Sequence, residues 1–147
     1  MLSLEAEEEI ERRPEEVFGF VATNHFQNHP KWDPSITEMT PITSGPMHVG
    51  ATARLVRDDR GKRVEGTLEV TEYEPDRLFA AVSRFGPFTL YQRATCEPLA
   101  SGRTRLHLRI DTQARGPLRL LLPLMRKQFR NTMATSLLTV KRSVEQE

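Results

Sequence analysis

Hydrophobic and polar positions alternate with a period of two along most of this chain and change to a period of three to four only near its end. Leu4, Ala6, Glu8 and Ile10 alternate with Glu5, Glu7, Glu9 and Glu11, which predicts a strand over Leu4–Arg12 despite the glutamates. Pro14 then opens a helix. Glu15 and Glu16 lie in its positive first turn, and Val17, Phe18, Phe20 and Val21 supply its buried side. Asn24 caps a second short helix through about Asn28, and Pro30 and Pro34, on either side of Lys31-Trp32-Asp33, predict an extended exit. Six more strands follow: Ile36–Ile42, Ala51–Arg57, Arg63–Tyr73, Leu78–Phe85, Phe88–Glu97 and Thr104–Thr112. The turn signals "SGP", "DDRGK", "EPD", "GP" and "LASG" separate them, and such short connections imply an antiparallel meander. In the last strand Leu106, Leu108 and Ile110 form a dry face opposite Arg105, His107, Arg109 and Asp111.

The period then changes. Leu118, Leu122, Met125, Phe129, Met133, Leu137, Val140 and Val144 make one apolar stripe, predicting a helix from Leu118 to near Val144 with Phe129 and Met133 against the sheet. Arg119, Arg126 and Arg130 share another face, with Lys127 beside them. Pro123 lacks an N–H, so it kinks this helix or marks where the long section begins. A seven-stranded sheet with one dry face must bury it, and the last helix is the only long apolar partner available.

Composition narrows the options. Lys and Arg total 21 against 20 Asp and Glu, so no strong overall field favours nucleic acid or an anionic membrane. Glu5 to Glu16 is acidic, whereas Arg115 to Arg142 is basic. The single Cys96 makes no intramolecular disulfide, and no basic, apolar leader follows Met1; an intracellular, cytoplasmic setting is expected. The longest apolar stretch falls short of the ~20 residues that span a bilayer. One domain over residues 1–147 is the expectation, as a monomer or homodimer.

Candidate chemistry is sparse. His25 and His29 stand at a spacing that puts two imidazoles on one helical face, but no third ligand stands near, so they are expected to be solvated and no metal or cofactor is assigned. Trp32, between two prolines, is expected to plug one end of the fold and offers a rigid ring to a ligand. Gln92 shares a strand face with Leu90, Ala94 and Cys96, and its amide there needs a partner, either a ligand oxygen or a buried water. Glu8 is the one weak candidate for catalysis. In strict register it points inward, where desolvation would raise its pKa; a bulge would turn it outward. The facing of Arg84 and Tyr91 depends on register. No Ser-His-Asp order, phosphate-binding loop or Cys-His pairing appears.

Several stretches carry a family resemblance: "IERRPEEVFGFVA", "WDPSITEM", "VGATARL", "LEVTEYEPDRLFA" and "GRTRLHLRIDTQARGPLRLLLPLMRKQF". Together they resemble the START-like, helix-grip superfamily (SRPBCC), within it the polyketide cyclase/dehydrase-like proteins. That resemblance implies an α+β fold in which a curved seven-stranded antiparallel sheet wraps a long C-terminal helix, with two short helices after strand 1. It also implies a cavity for a small hydrophobic or aromatic ligand, lipid-, polyketide- or sterol-like. The residues expected to line it are Trp32, Phe85, Phe88, Leu90, Gln92, Leu118, Leu121, Leu122, Met125, Phe129 and Met133. The alternative is a polyketide cyclase/dehydratase-type enzyme using the same cavity. A protein-interaction module would need an exposed apolar patch. The leucines beside Arg119, Arg126, Lys127 and Arg130 also leave open a peripheral membrane contact.

Overall fold

In the computed structural model, which describes residues 1–146, the chain begins with strand β1 (Leu2–Ile10). Helix α1 (Pro14–Phe18), a π-helical turn (Gly19–Thr23) and helix α2 (His25–Trp32) follow. Strands β2 (Ile36–Pro41), β3 (Thr52–Asp59), β4 (Lys62–Glu74), β5 (Leu78–Phe85), β6 (Phe88–Leu99) and β7 (Arg103–Ala114) come next. They form one antiparallel sheet ordered β1-β7-β6-β5-β4-β3-β2. Helix α3 (Arg126–Glu145) closes the fold, in the helix-grip arrangement expected.

Sheet curvature has visible causes. The register slips between Val70 and Glu72 and between Ile36 and Glu38, and such irregularities bend a strand. At Gly66 a Cβ would lie 2.3 Å from the Arg84 carbonyl oxygen, so only glycine allows β4 to approach β5 this closely. The concave face carries Ala53, Leu55, Leu68, Val70, Phe79 and Leu106, all buried, beneath α3's Leu137, Val140 and Val144. A second, smaller cluster joins Leu2 and Leu4 of β1 to Leu122 and Met133.

Three local expectations are corrected. The last helix starts at Arg126 rather than Leu118; the residues before it form two 3₁₀ segments, Gly116–Leu120 and Leu122–Met125. Pro117 and Pro123 open these segments, and a proline inside an α-helix removes an N–H and clashes with the preceding turn. Conversely, α2 runs through Pro30 to Trp32, where an extended exit was expected, and the Asp33 N–H closes it on the His29 carbonyl at 3.1 Å. Glu8 keeps strict register opposite Leu106 with no bulge, so it sits half-buried on the face of Leu4 and Ile10.

α3's stripe is unequally buried. Leu137 is buried in the main core, whereas Phe129, one turn from the helix start, is only half-buried. Leu137→Ala should therefore cost about 2–5 kcal/mol in equilibrium urea unfolding. Phe129→Ala should cost no more than about 1–2 kcal/mol, because part of its ring has no packing to lose. A Phe129 cost as large as that of Leu137 would show that the start of α3 is as tightly packed as its end.

Candidate functional site

The half of the concave face that α3 leaves uncovered encloses a cavity of about 730 Å³. That lies within the ~300–1,000 Å³ of small-molecule sites. Its sheet wall comes from alternate, inward positions: Phe79, Ser83 and Phe85 of β5, Leu90, Gln92 and Ala94 of β6, and Leu106, Leu108, Ile110 and Thr112 of β7. α3 contributes Phe129, Met133, Ser136 and Leu137; Leu118, Leu121, Leu124 and Met125 edge the opening. Trp32, His25 and His29 come from α2.

The wall is mostly apolar but has two polar groups of neighbours. In the first, two side chains of α2 bond back to main-chain carbonyls of the preceding π turn. Asn28 donates to Phe20 O at 3.0 Å, and His25 Nδ1–H donates to Val21 O at 2.8 Å. Because Nδ1 holds the proton, His25 Nε2 is an acceptor, and Gln92 Nε2 donates to it at 3.3 Å. The ring packs against Phe79 at 4.7 Å, His29 at 4.5 Å and Trp32 at 5.6 Å between centroids. Burial pushes the His25 pKa down to about 4, against the opposing hydrogen bond to Val21.

The second group stands where α2 ends. Asp33 Oδ2 lies 3.3 Å from Arg57 Nη1, and Arg57 Nη2 donates to Ser35 Oγ at 2.7 Å. Ser35 Oγ in turn donates to Asp33 Oδ1 at 2.5 Å. The Arg57 guanidinium also sits 4.8 Å from the centre of the Phe85 ring, a cation–π distance. His29 joins the two groups. Its Nε2 is 3.8 Å from Asp33 Oδ2, too far for a hydrogen bond, and its Nδ1 is buried with no hydrogen-bond partner among the described residues. Burial, then the neighbouring His25 and Arg57, hold the His29 pKa well below its ordinary value.

Of the residues expected along the cavity, Trp32, Phe85, Phe88, Leu90, Gln92, Leu118, Leu121, Met125, Phe129 and Met133 line it. Leu122 does not; it is buried beside Leu2 and Leu4 and anchors the 3₁₀ segment. Glu8, Arg84 and Tyr91 also lie outside it, the last two exposed on the outer face of the sheet. The solvated setting expected for His25 and His29 is overturned: both are buried. Gln92 has a protein partner in His25. Among the described residues no group of three or more His, Cys, Asp or Glu is placed to hold a metal. Arg57 and Asp33 were missed, although Arg57 continues the inward series Ala53, Leu55 on β3, where a guanidinium among apolar positions was a readable signal.

A second depression, on the outer face, is walled by Tyr91, Arg93 and Arg109. Its charges are already paired, Arg93 with Glu72 at 2.7 Å and Arg109 with Asp111 at 3.2 Å. It has no second apolar wall.

The sequence model of the family described as polyketide cyclase / dehydrase and lipid transport matches residues 1–145. No curated protein matches the chain. Among solved structures, a START superfamily protein from Mycobacterium smegmatis aligns with a TM-score of 0.79 at 19% identity, covering 98% of this chain and 97% of that one. The Zhui aromatase/cyclase from Streptomyces sp. R1128 aligns at 0.78 and 15% identity, covering 98% and 93%. A conserved protein from Geobacillus kaustophilus aligns at 0.81 and 11% identity, covering 99% and 96%. At these identities the likeness is one of fold: the START-like, helix-grip fold.

The histidine pair has a measurable consequence. Both imidazoles are neutral in the fold, and their folded pKa values lie below the unfolded value of 6.5. Between pH 6.5 and about 4 the unfolded chain takes up protons that the folded chain refuses, so stability falls as pH drops through that window. Each histidine contributes a slope of up to about 1.4 kcal/mol per pH unit. Urea unfolding at pH 7, 6 and 5 should show this slope in the native chain and a flatter one in a His25→Gln/His29→Gln variant. Equal slopes would mean that the imidazoles titrate normally.

Proposed function

The chain belongs to the polyketide cyclase / dehydrase and lipid transport family, and from that premise we propose that its cavity binds one small, largely apolar, uncharged molecule carrying a hydroxyl or carbonyl at one end. The observation that carries this reading is the composition of the wall: leucines, phenylalanines and methionines along most of its length, with the charged groups and the histidines on the α2 and β3 side and only uncharged polar side chains, such as Ser83, Thr112, Thr132 and Ser136, elsewhere. Methionine and leucine rotamers adapt to irregular apolar shapes, which suits Met125, Met133 and Leu90 to such a ligand.

The charge of the ligand follows from the polar end. Arg57 is the half-buried cation there, and Asp33 already neutralises it at 3.3 Å; Arg60 lines the same stretch but is exposed to solvent. His25 and His29 are held neutral by burial. A ligand carboxylate would have to displace Asp33 from Arg57 and leave that carboxylate half-buried, which is costly. A hydroxyl or carbonyl needs no such exchange. The buried Nδ1 of His29 and the amide of Gln92 are the groups on this wall with which such a ligand would reorganise.

One observation favours a second reading, a cyclase/dehydratase-type enzyme. His29 is a neutral imidazole with an unsatisfied nitrogen, and Arg57 lies near enough to disfavour its protonation. A base and a cation side by side are the elements of proton abstraction next to a carbonyl. His25 is unavailable for this, since both of its nitrogens are engaged. In the enzyme reading His29→Gln abolishes turnover of an aromatic-polyketide mimic while leaving its affinity within about threefold.

Native mass spectrometry of the protein from its own host should retain a neutral apolar molecule. In vitro, Nile red should light up in the cavity, and a long-chain alcohol should displace it at least about tenfold better than the carboxylate of equal length. Arg57→Met, which leaves the Asp33 carboxylate without its cation, should lower stability and widen that preference, because an unpaired Asp33 repels a ligand carboxylate. Equal displacement by the carboxylate would exclude the neutral ligand, and no dye uptake would exclude the cavity reading itself.

A further inference from the structure

We infer that the rim of the cavity, residues 118–130, docks on an anionic lipid bilayer surface; this rests on the cavity reading above. Two independent features of the rim meet here. Leu120, Leu121 and Leu124 are 72%, 47% and 81% exposed within five residues. Single exposed leucines are ordinary on a protein surface, but three together mark a contact. Their exposure is held in place, because Leu122 between them is 2% exposed and locked against Leu2 and Leu4. The two 3₁₀ segments opened by Pro117 and Pro123 present neighbouring leucines to solvent where a continuous α-helix would bury one stripe and repeat it.

The second feature is charge. Between Asp111 and Glu145 the sequence contains no Asp or Glu, while residues 115–131 carry Arg115, Arg119, Arg126, Lys127 and Arg130. All five are exposed. The chain as a whole carries only +1, so the rest of the chain is net acidic and the uncompensated positive charge lies in this segment. That asymmetry orients the rim toward an anionic surface. Long cationic side chains can keep their heads at lipid headgroup level while their stems and the adjacent leucines enter the acyl boundary.

A bilayer fits this rim better than an acidic protein does. Leu121 and Leu124 belong at once to the exposed patch and to the cavity lining. An apolar molecule leaving the bilayer would therefore pass along leucine without crossing water. No helix among the described residues is long and apolar enough to cross a membrane, so the contact is peripheral.

Vesicle flotation tests the inference with two liposome types, phosphatidylcholine alone and phosphatidylcholine with about one-third phosphatidylglycerol. The native protein should float with the second and not the first, and 1 M salt should release most of it. Arg126→Glu/Arg130→Glu should weaken binding by about fivefold or more for each charge changed. Leu120→Ser, which alters an exposed side chain outside the cavity lining, should weaken it several-fold with an unchanged unfolding midpoint. Several outcomes would overturn the inference: no flotation, equal flotation on neutral vesicles, or indifference to Leu120→Ser. So would a concentration-dependent dimer abolished by Leu120→Ser without any vesicle binding, which would assign the patch to a second copy. Nile red uptake in lipid-free buffer is scored in parallel. Uptake without flotation sinks the docking and leaves the cavity reading intact, whereas flotation without uptake does the reverse.

Discussion

The Glu145 carboxylate, in the last turn of α3, accepts the Glu11 N–H at 2.9 Å and the Lys141 ammonium at 2.8 Å. Arg12 binds the main-chain carbonyl of the same residue, and Lys141 also donates to Glu9 O at 2.7 Å. These bonds knot the end of α3 to the end of β1. A 20-residue helix is about 30 Å long, so fixing one end over an edge strand determines which part of a seven-stranded sheet it can cover. Val144, nearest the knot, is sealed in the core; Val140, Leu137 and Met133 are shielded from solvent and reach the cavity wall, and Phe129 and Met125 look onto open volume. The cavity is the space a single helix leaves when it is anchored at one end of a strongly curved sheet. Gly66 and the slip after Val70 supply that curvature.

The same geometry explains why the two paired polar groups stand on the α2 side. α2 packs across the sheet where α3 does not reach, and its residues face β5 and β6. His25 and Asn28 bond from α2 back to the Val21 and Phe20 carbonyls of the π turn. Once His25 commits Nδ1 to Val21, its Nε2 must find a donor, and Gln92 on β6 is the nearest one. At the far end of α2, Asp33 commits to both Ser35 and Arg57. The site is therefore largely paired internally, and among the described residues the buried side-chain atom left over is His29 Nδ1.

How far the sequence could be read follows from how local each feature is. The alternation in β7 and the stripe of Leu137, Val140 and Val144 are decided by residues within two turns or strands of one another, and both were legible. The start of α3 was not, since an apolar stripe continues through Leu118 and Leu122 whatever the backbone does; Pro117 and Pro123 override it. The histidines were misread for the opposite reason. Their spacing is local, but their burial comes from Phe79, more than fifty positions further along the chain, and from the turn that swings α2 inward. Glu8 was legible in register yet not in consequence, because only the path of α3 puts it outside the cavity. Arg57 was available to inspection as a charged member of an apolar series, a pattern that a search confined to short motifs passes over.

Neutral buried histidines are a poor choice for stability alone. A phenylalanine or leucine at position 25 would fill the space beside Phe26, Phe79 and Trp32 without exposing the fold to acid, since the imidazole's proton uptake is confined to the unfolded chain at mildly acid pH. A leucine at 29 would also remove the unpartnered Nδ1, whose burial costs about 1–3 kcal/mol. Both residues instead place a hydrogen-bonding edge on a wall that is mostly apolar. In an apolar cavity of about 730 Å³, most affinity comes from area, and area does not discriminate among molecules of similar size. One oriented polar edge does, because any ligand that buries it without pairing loses more than a hydrogen bond gains. The histidines thus weaken the fold at the point where the cavity has to choose between ligands.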